Sequence, residues 1–194
     1  PKMVGSYPEA NTQLIAALRA KNAPVIFQAE IGFFPRLAED GVLADMANFE
    51  RTLEPAFTKD FFPALWSYGV YDGQRYGLPW NASTPVLFFN ASQFRAKGLK
   101  PPTTWSEFAS VSKALSSRTS KGFLAVADSW QFEQMVLSRG GNVVTSDGKP
   151  NFASKEVVEA LSFLRDQVRS GYAIPRSLGE AQFAILDFVR TKAS

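Results

Sequence analysis

The hydrophobic positions of this chain change period several times, and each change marks an element boundary. Ser6-Tyr7-Pro8 opens a helix: Leu14, Ile15, Ala17 and Leu18 form an apolar stripe, and Pro8 suits a first turn, where a backbone N–H has no partner anyway. Asn22-Ala23-Pro24 stops it. Pro24-Val25-Ile26-Phe27-Gln28 is a short apolar run bounded by turn residues, which predicts a buried strand. After Ala29-Glu30-Ile31-Gly32 a short helical stretch passes through Leu37 to Gly41. Glu30 therefore falls just past the carboxyl end of a predicted strand, where open α/β sheets bind ligands.

The alternation continues. Residues 58–67 read as a helix carrying Phe61, Phe62, Leu65 and Trp66. Val70 to Gly77 reads as a hairpin, with Asp72-Gly73 supplying a type I′ turn. Leu78 to Pro85 is irregular and polar, and leads into a predicted strand, Val86-Leu87-Phe88-Phe89-Asn90. A helix over 91–97 ends at Gly98, and Lys100-Pro101-Pro102 forms a rigid loop. Thr104-Trp105-Ser106-Glu107 has capping-box spacing at the head of a helix over 105–116. A strand from Gly122 to Ala127, a helix from Trp130 to Leu137 and a hairpin over 142–152, turned at Asp147-Gly148, follow. Ser154 is expected to cap a helix over 155–169, with Val157, Val158, Leu161, Leu164 and Val168 on one face. From Leu178 the chain reads as helical. The pattern is α/β.

Composition narrows the chemistry. The 194 residues contain no Cys and no His. This removes disulfides, thiolate nucleophiles, zinc–cysteine sites, imidazole ligands and Ser-His-Asp triads. Any catalysis would rest on carboxylate, Lys or Tyr groups or on a cofactor. Absence of Cys also fits an oxidising compartment. The net charge of +3 is small and its cations are scattered, so nothing points to nucleic acid. No apolar run approaches the roughly 18 residues of a membrane span. Length alone allows one domain or two small ones. Pro1 stands where no signal-peptide pattern precedes it, so the start is expected to be processed or truncated.

Three blocks of residues carry a resemblance. The first is Gly5-Ser6-Tyr7, with Ala16-Ala17-Leu18-Arg19-Ala20-Lys21-Asn22-Ala23-Pro24 ahead of a predicted strand. The second runs from Gly77-Leu78-Pro79-Trp80-Asn81-Ala82-Ser83-Thr84-Pro85 into Val86-Leu87-Phe88-Phe89-Asn90. The third is Pro101-Pro102-Thr103-Thr104-Trp105-Ser106-Glu107-Phe108. In order and spacing, from Ser6 to about Arg169, they resemble the family 1 extracellular solute-binding proteins of bacterial ABC importers, most of all the glycerol-3-phosphate-binding branch.

The resemblance implies a two-lobed, periplasmic-binding-protein-like (type II) α/β fold, incomplete at both ends because such proteins are about twice this long. Pro1 to Tyr7 looks like the end of a second strand, and Leu186-Asp187-Phe188-Val189-Arg190 looks like a late helix of the family. The implied organisation is a partial lobe I over 1–82, a hinge crossing at 83–87, a partial lobe II over 88–177 and a C-terminal helical segment over 178–194.

The same resemblance implies ligand contacts. Tyr7 matches a phenol facing the cleft before the first helix. Glu30 matches an acidic position accepting hydrogen bonds from ligand hydroxyls, for which an ionised carboxylate is well suited. Ser83 matches a hinge serine that contacts ligand, with Asn81 as its companion and Trp80 beside it. Trp130 matches a tryptophan at a lobe II helix start, whose ring packs on the C–H face of a sugar or polyol. Each has a plain structural alternative: helix-start packing for Tyr7, a dipole-stabilised Glu30, backbone satisfaction by Asn81 and Ser83, core packing for the tryptophans. Trp66 and Trp105 are assigned to packing.

The implied function is capture of a polyol phosphate (glycerol 3-phosphate or a glycerophosphodiester) or a saccharide in an interlobe cleft, for delivery to an ABC permease. The implied location is periplasmic or extracellular, with a lipid anchor as one form. No cofactor or metal is expected, no nucleic-acid partner, and a monomer. Two other functions compete. One is an excised lobe acting as a structural or interaction domain, which would expose apolar surface. The other is a carbohydrate-active enzyme using a carboxylate pair such as Glu30 and Asp128, which requires separations of about 5–9 Å.

Overall fold

The computed structural model describes residues 4–177 and 180–190. The chain divides into two compact units, Pro1–Thr84 and Pro85–Ser194. Each contains its own small sheet.

In the first unit, α1 (Tyr7–Arg19) begins at a full capping box. Ser6 Oγ accepts the Glu9 N–H at 3.4 Å, and Glu9 Oε2 accepts the Ser6 N–H at 2.8 Å. These two bonds satisfy donors that the first turn leaves without intrahelical partners. Leu14 is the buried residue of α1, and α2 (Phe34–Glu39) buries Phe34, Leu37 and Ala38.

The helix expected over 58–67 is instead two short ones, α4 (Pro55–Lys59) and α5 (Pro63–Trp66), preceded by α3 (Ala47–Glu50). Pro63 is the cause. It has no N–H to continue the ladder, and it holds Phe62 in an extended conformation at φ −59°, ψ 137°. The break still lets Phe57, Phe61 and Trp66 meet, with ring centroids 5.3–6.5 Å apart. Strands β1 (Val70–Tyr71) and β2 (Gln74–Arg75) form the expected hairpin. Asp72 at φ 48° and Gly73 at φ 74° supply the two positive angles that a type I′ turn demands.

Two expected strands do not form. Residues 24–28 and 86–90 lie in no ladder, and 23–29 and 78–89 make no backbone–backbone hydrogen bond among the described residues. Val25 is 100% exposed and Ile26 87%. Val86, Leu87, Phe88 and Phe89 are exposed as well. An apolar run has the composition of a buried strand, but a strand exists only by pairing, and no partner strand is described beside either run. Glu30 thus follows an unpaired segment, not a strand end.

The second unit is built around a βαβ-like arrangement. Strand β3 (Phe123–Ala127) pairs in parallel with β4 (Ala173–Ser177), in register from Phe123↔Ala173 to Ala127↔Ser177. Helices α8 (Ser129–Leu137) and α9 (Lys155–Arg169) lie between them in sequence. The core is Met135, Val136, Val157 and Ala160, with Trp105, Phe132, Val143, Phe163 and Leu164 packed against it. Strand β4, with Pro175 at its centre, is not among the elements expected from sequence. A proline is tolerated on a sheet edge, and a two-stranded sheet consists of edges.

Several local expectations shift by one step. Asn90 caps α6 (Ala91–Ala96), accepting the Ser92 and Gln93 N–H groups at 3.1 Å. At α7 (Trp105–Leu115), Thr104 accepts the Glu107 N–H at 3.1 Å as expected. Glu107, however, reaches back to the N–H and hydroxyl of Thr103, at 2.7 and 2.8 Å, rather than to the cap amide. Those bonds hold its carboxyl below the ordinary range. The buried face of α9 is Val157, Ala160 and Gln167, while Val158, Leu161 and Val168 point outward. The Ser154 hydroxyl makes no cap bond. The 142–152 hairpin reduces to one bridge, Val144↔Pro150, with Thr145 N–H donating to the Lys149 carbonyl at 2.8 Å.

Of the predicted C-terminal helix, 178–179 and 191–194 lie outside the described residues, as do 1–3 of the expected strand end. Helix α10 (Ala181–Val189) is present, and its Asp187 pairs with Arg176 of β4. Both packing assignments are observed: Trp66 joins Phe57 and Phe61, and Trp105 stacks with Phe108, Phe163 and the Arg139 guanidinium.

Candidate functional site

Three of the six candidate residues lie on one short segment, and Tyr7 and Glu30 lie elsewhere in the same first unit. Tyr7 is the first residue of α1, placed there by the Ser6–Glu9 capping box, and is 45% exposed. Its hydroxyl accepts a hydrogen bond from Gln28 Nε2 at 3.1 Å. Having accepted that bond, the phenol keeps its proton to donate outward. Gln28 lies two residues before Glu30 and was not a candidate from sequence. No local pattern marks it, since the bond joins residues 21 apart.

Glu30 is half-buried. Its Oε1 accepts the Gly32 N–H at 2.9 Å, and its carbonyl accepts the Phe33 and Phe34 N–H groups at the entry to α2. The carboxylate is therefore oriented by its own loop. A single internal bond leaves most of its acceptor capacity for hydroxyl donors.

Trp80, Asn81 and Ser83 sit on the segment that follows the hairpin, and all three are exposed, Trp80 by 81%. None of their side chains hydrogen-bonds to another described residue, so the structural alternative proposed for Asn81 and Ser83, backbone satisfaction, is not observed there. In the second unit Trp130 is the second residue of α8 and is 44% exposed, not core. Asp128 caps that helix through its Oδ2, which accepts the Gln131 N–H at 3.2 Å, so this carboxylate is engaged in structure. Among the described residues no group of three or more acidic side chains is placed to hold a metal. Among the described residues no helix is long and apolar enough to cross a membrane.

In the first unit the candidates are a phenol, a carboxylate, an amide, a hydroxyl and an indole, with no cation, and in the second unit the candidate is the indole of Trp130. Groups of these types can hydrogen-bond hydroxyls and stack on C–H faces. Residues 2–185 match the family described as bacterial extracellular solute-binding protein. The chain belongs to this family.

Among the curated solute-binding proteins, the sn-glycerol-3-phosphate-binding periplasmic protein UgpB of Brucella abortus is 31% identical over 138 residues, 67% of this chain and 32% of that protein. An arabinooligosaccharide-binding protein of Halalkalibacterium halodurans is 25% identical over 162 residues, 81% of this chain and 36% of its own. The chain thus spans about a third of the length of these relatives. Among solved structures, UgpB of Mycobacterium tuberculosis in complex with glycerophosphocholine superposes with a TM-score of 0.78 at 22% identity, covering 92% of this chain and 49% of that one. The sugar-binding protein MalE of Xanthomonas citri gives 0.78 at 24% identity, covering 95% and 48%. These neighbours establish the two-lobed periplasmic-binding-protein-like α/β fold, of which this chain covers about half.

Proposed function

We propose that this chain belongs to the extracytoplasmic receptor of an ABC importer and captures the polyhydroxyl part of a saccharide or polyol phosphate. The observation that carries the reading is the Tyr7–Gln28 hydrogen bond in the same unit as the oriented carboxylate of Glu30. That group supplies both donors and acceptors for vicinal hydroxyls. Trp80, Asn81, Ser83 and Trp130 are proposed contacts of the same ligand class. A phosphate would find no cation among these residues, so a phosphorylated ligand is read here through its glycerol hydroxyls.

On this reading the role is binding rather than catalysis, the setting is periplasmic or extracellular, and the partner is a membrane permease. The proposed organisation is a partial lobe I over 1–82, a hinge crossing at 83–87, a partial lobe II over 88–177 and a C-terminal segment over 178–194. The related proteins named for glycerol 3-phosphate and for arabinooligosaccharide support the ligand class. Calorimetric titration with glycerol 3-phosphate, glycerophosphocholine, maltose and an arabinooligosaccharide tests it. Saturable heat with at least one, and no turnover, is expected. No saturable heat with any of them would overturn the reading.

The exposed apolar runs at Val25–Ile26 and Val86–Phe89 favour a second reading, an interaction domain without transport function. It predicts strong binding of an apolar dye and self-association on a sizing column, both unaffected by sugars.

A further inference from the structure

The segment that carries Trp80, Asn81 and Ser83 has no hydrogen-bonded ladder to hold it, yet its point of departure is fixed from several sides. Arg75 is charged and only 6% exposed. Its guanidinium donates to the carbonyls of Trp66 at 2.9 Å, Tyr68 at 3.1 Å and Gly77 at 3.1 Å. Its Nε lies 3.0 Å from Glu50 Oε2, and its Cζ sits 4.2 Å from the centre of the Trp66 ring. One side chain thus ties together α3, α5, the hairpin and the first residue of the segment.

A second contact acts at the same place. The N–H groups of Tyr76 and Gly77 both donate to the Gly69 carbonyl, at 2.7 and 3.2 Å. The two backbones are so close that a Cβ on Gly69 would lie 2.3 Å from the Gly77 carbonyl oxygen. Leu78, being followed by Pro79, is itself restricted to extended conformations. The direction in which the chain leaves Gly77 is therefore set before it reaches Trp80. A buried cation is costly to place, and three carbonyl acceptors with a carboxylate close by offset part of that cost, while the Nε–H itself makes no hydrogen bond.

We propose that Arg75 is the positioning residue for the Gly77–Thr84 segment, aiming Trp80, Asn81 and Ser83 toward ligand without touching it. The part of this that concerns ligand rests on the function proposed above; the part that concerns the segment does not.

The test uses the full chain labelled with 5-fluorotryptophan, whose four tryptophans give four fluorine resonances, assigned by single Trp→Phe variants. In Arg75→Gln the Trp80 resonance should shift and broaden while Trp105 and Trp130 stay in place, showing the second unit intact. Arg75→Lys keeps a charge for Glu50 but loses the planar fork, and should move Trp80 partway. Gly69→Ala, which disturbs the same departure point from the other side, should also move it. For any ligand the wild type binds, Arg75→Gln should weaken affinity at least about tenfold and Arg75→Lys less.

A Trp80 resonance unmoved in folded Arg75→Gln overturns the proposal. So does loss of dispersion at all four positions in both Arg75 variants, which would make Arg75 a folding residue. A wild type that binds nothing, with Trp80 still moving, defeats the proposed function and leaves the positioning role standing.

Discussion

Gly122 offers the sharpest test of how the second unit is packed. It stands at the entry to β3, and its position carries no room for a side chain. A Cβ there would lie 2.1 Å from the Ser112 carbonyl oxygen and 2.7 Å from both Ser112 C and Cα. All three are backbone atoms of α7, so no rotamer change relieves the clash. To reach even 3.0 Å, the closest approach real Cβ atoms tolerate, the strand and helix must separate by about 0.9 Å (3.0 minus 2.1). That movement also stretches the hydrogen bond from the Gly122 N–H to Ser116 Oγ, now 3.0 Å. Overpacking costs about 1–3 kcal/mol and the hydrogen bond adds about 0.5–1.5, so Gly122→Ala should destabilise the unit by about 1.5–4.5 kcal/mol. With a urea dependence of about 2 kcal/mol/M, the midpoint falls by about 1–2 M. Gly140→Ala is the control. That position has a φ of 83° and nothing within 4 Å, so only its conformational cost of about 1–2 kcal/mol applies. Urea unfolding followed by fluorescence in single-tryptophan variants keeping Trp105 or Trp66 separates the two units. The Trp105 transition should move and the Trp66 transition should not. A midpoint for Gly122→Ala within about 0.2 M of the parent would refute the close approach of α7 and β3.

Glu30→Gln keeps an oxygen acceptor for the Gly32 N–H but discharges the group, so the melting temperature should hold while ligand affinity falls about 10- to 150-fold, the equivalent of about 1.5–3 kcal/mol; a sharp drop in melting temperature at unchanged affinity would make the residue structural. Asp128→Ala removes the cap of α8 and should cost the second unit about 1 kcal/mol in urea, whereas Asp128→Asn, which can still accept the Gln131 N–H, should cost much less; equal losses would assign the effect to charge. Stability should be flat between pH 5 and 8. The carboxyls of Glu107, Asp147, Asp166 and Glu180 are all held below their ordinary range by hydrogen bonds, so what they contribute is complete above about pH 4 and is lost as pH falls through their lowered values. The Tyr71 phenol, raised first by its hydrogen bond to Glu39, contributes below about pH 10 and loses that as pH rises through its raised value. A melting temperature that changes by several degrees between pH 5.5 and 7.5 would contradict this. Affinity for a neutral sugar should be equally flat across that window, since the chain holds neither His nor Cys.

What the sequence decided by itself is what neighbouring residues can settle. The Asp72-Gly73 turn, the Thr104 cap and the helices α1, α7 and α9 all depend on groups within four residues of one another, and each lies where its pattern put it. Pro63 splitting the 58–67 helix was equally local and was simply outweighed by an apolar pattern. The order and spacing of the blocks between Gly5 and Phe108, a property of the whole chain, carried the resemblance to the family. Tertiary structure decided the rest. Val25–Gln28 and Val86–Asn90 have strand composition but no described partner to pair with, while Ala173–Ser177, with a proline at its centre, became a strand because β3 lay beside it. The bond from Gln28 to Tyr7 joins residues 21 apart, and the Arg75 cluster draws on Glu50, Trp66, Tyr68 and Gly77 at once. Hydrogen bonds along a helix or turn are specified by the chain's own period. Pairing between strands and burial of a charge depend on which distant segments arrive together, and a one-dimensional pattern does not contain that information.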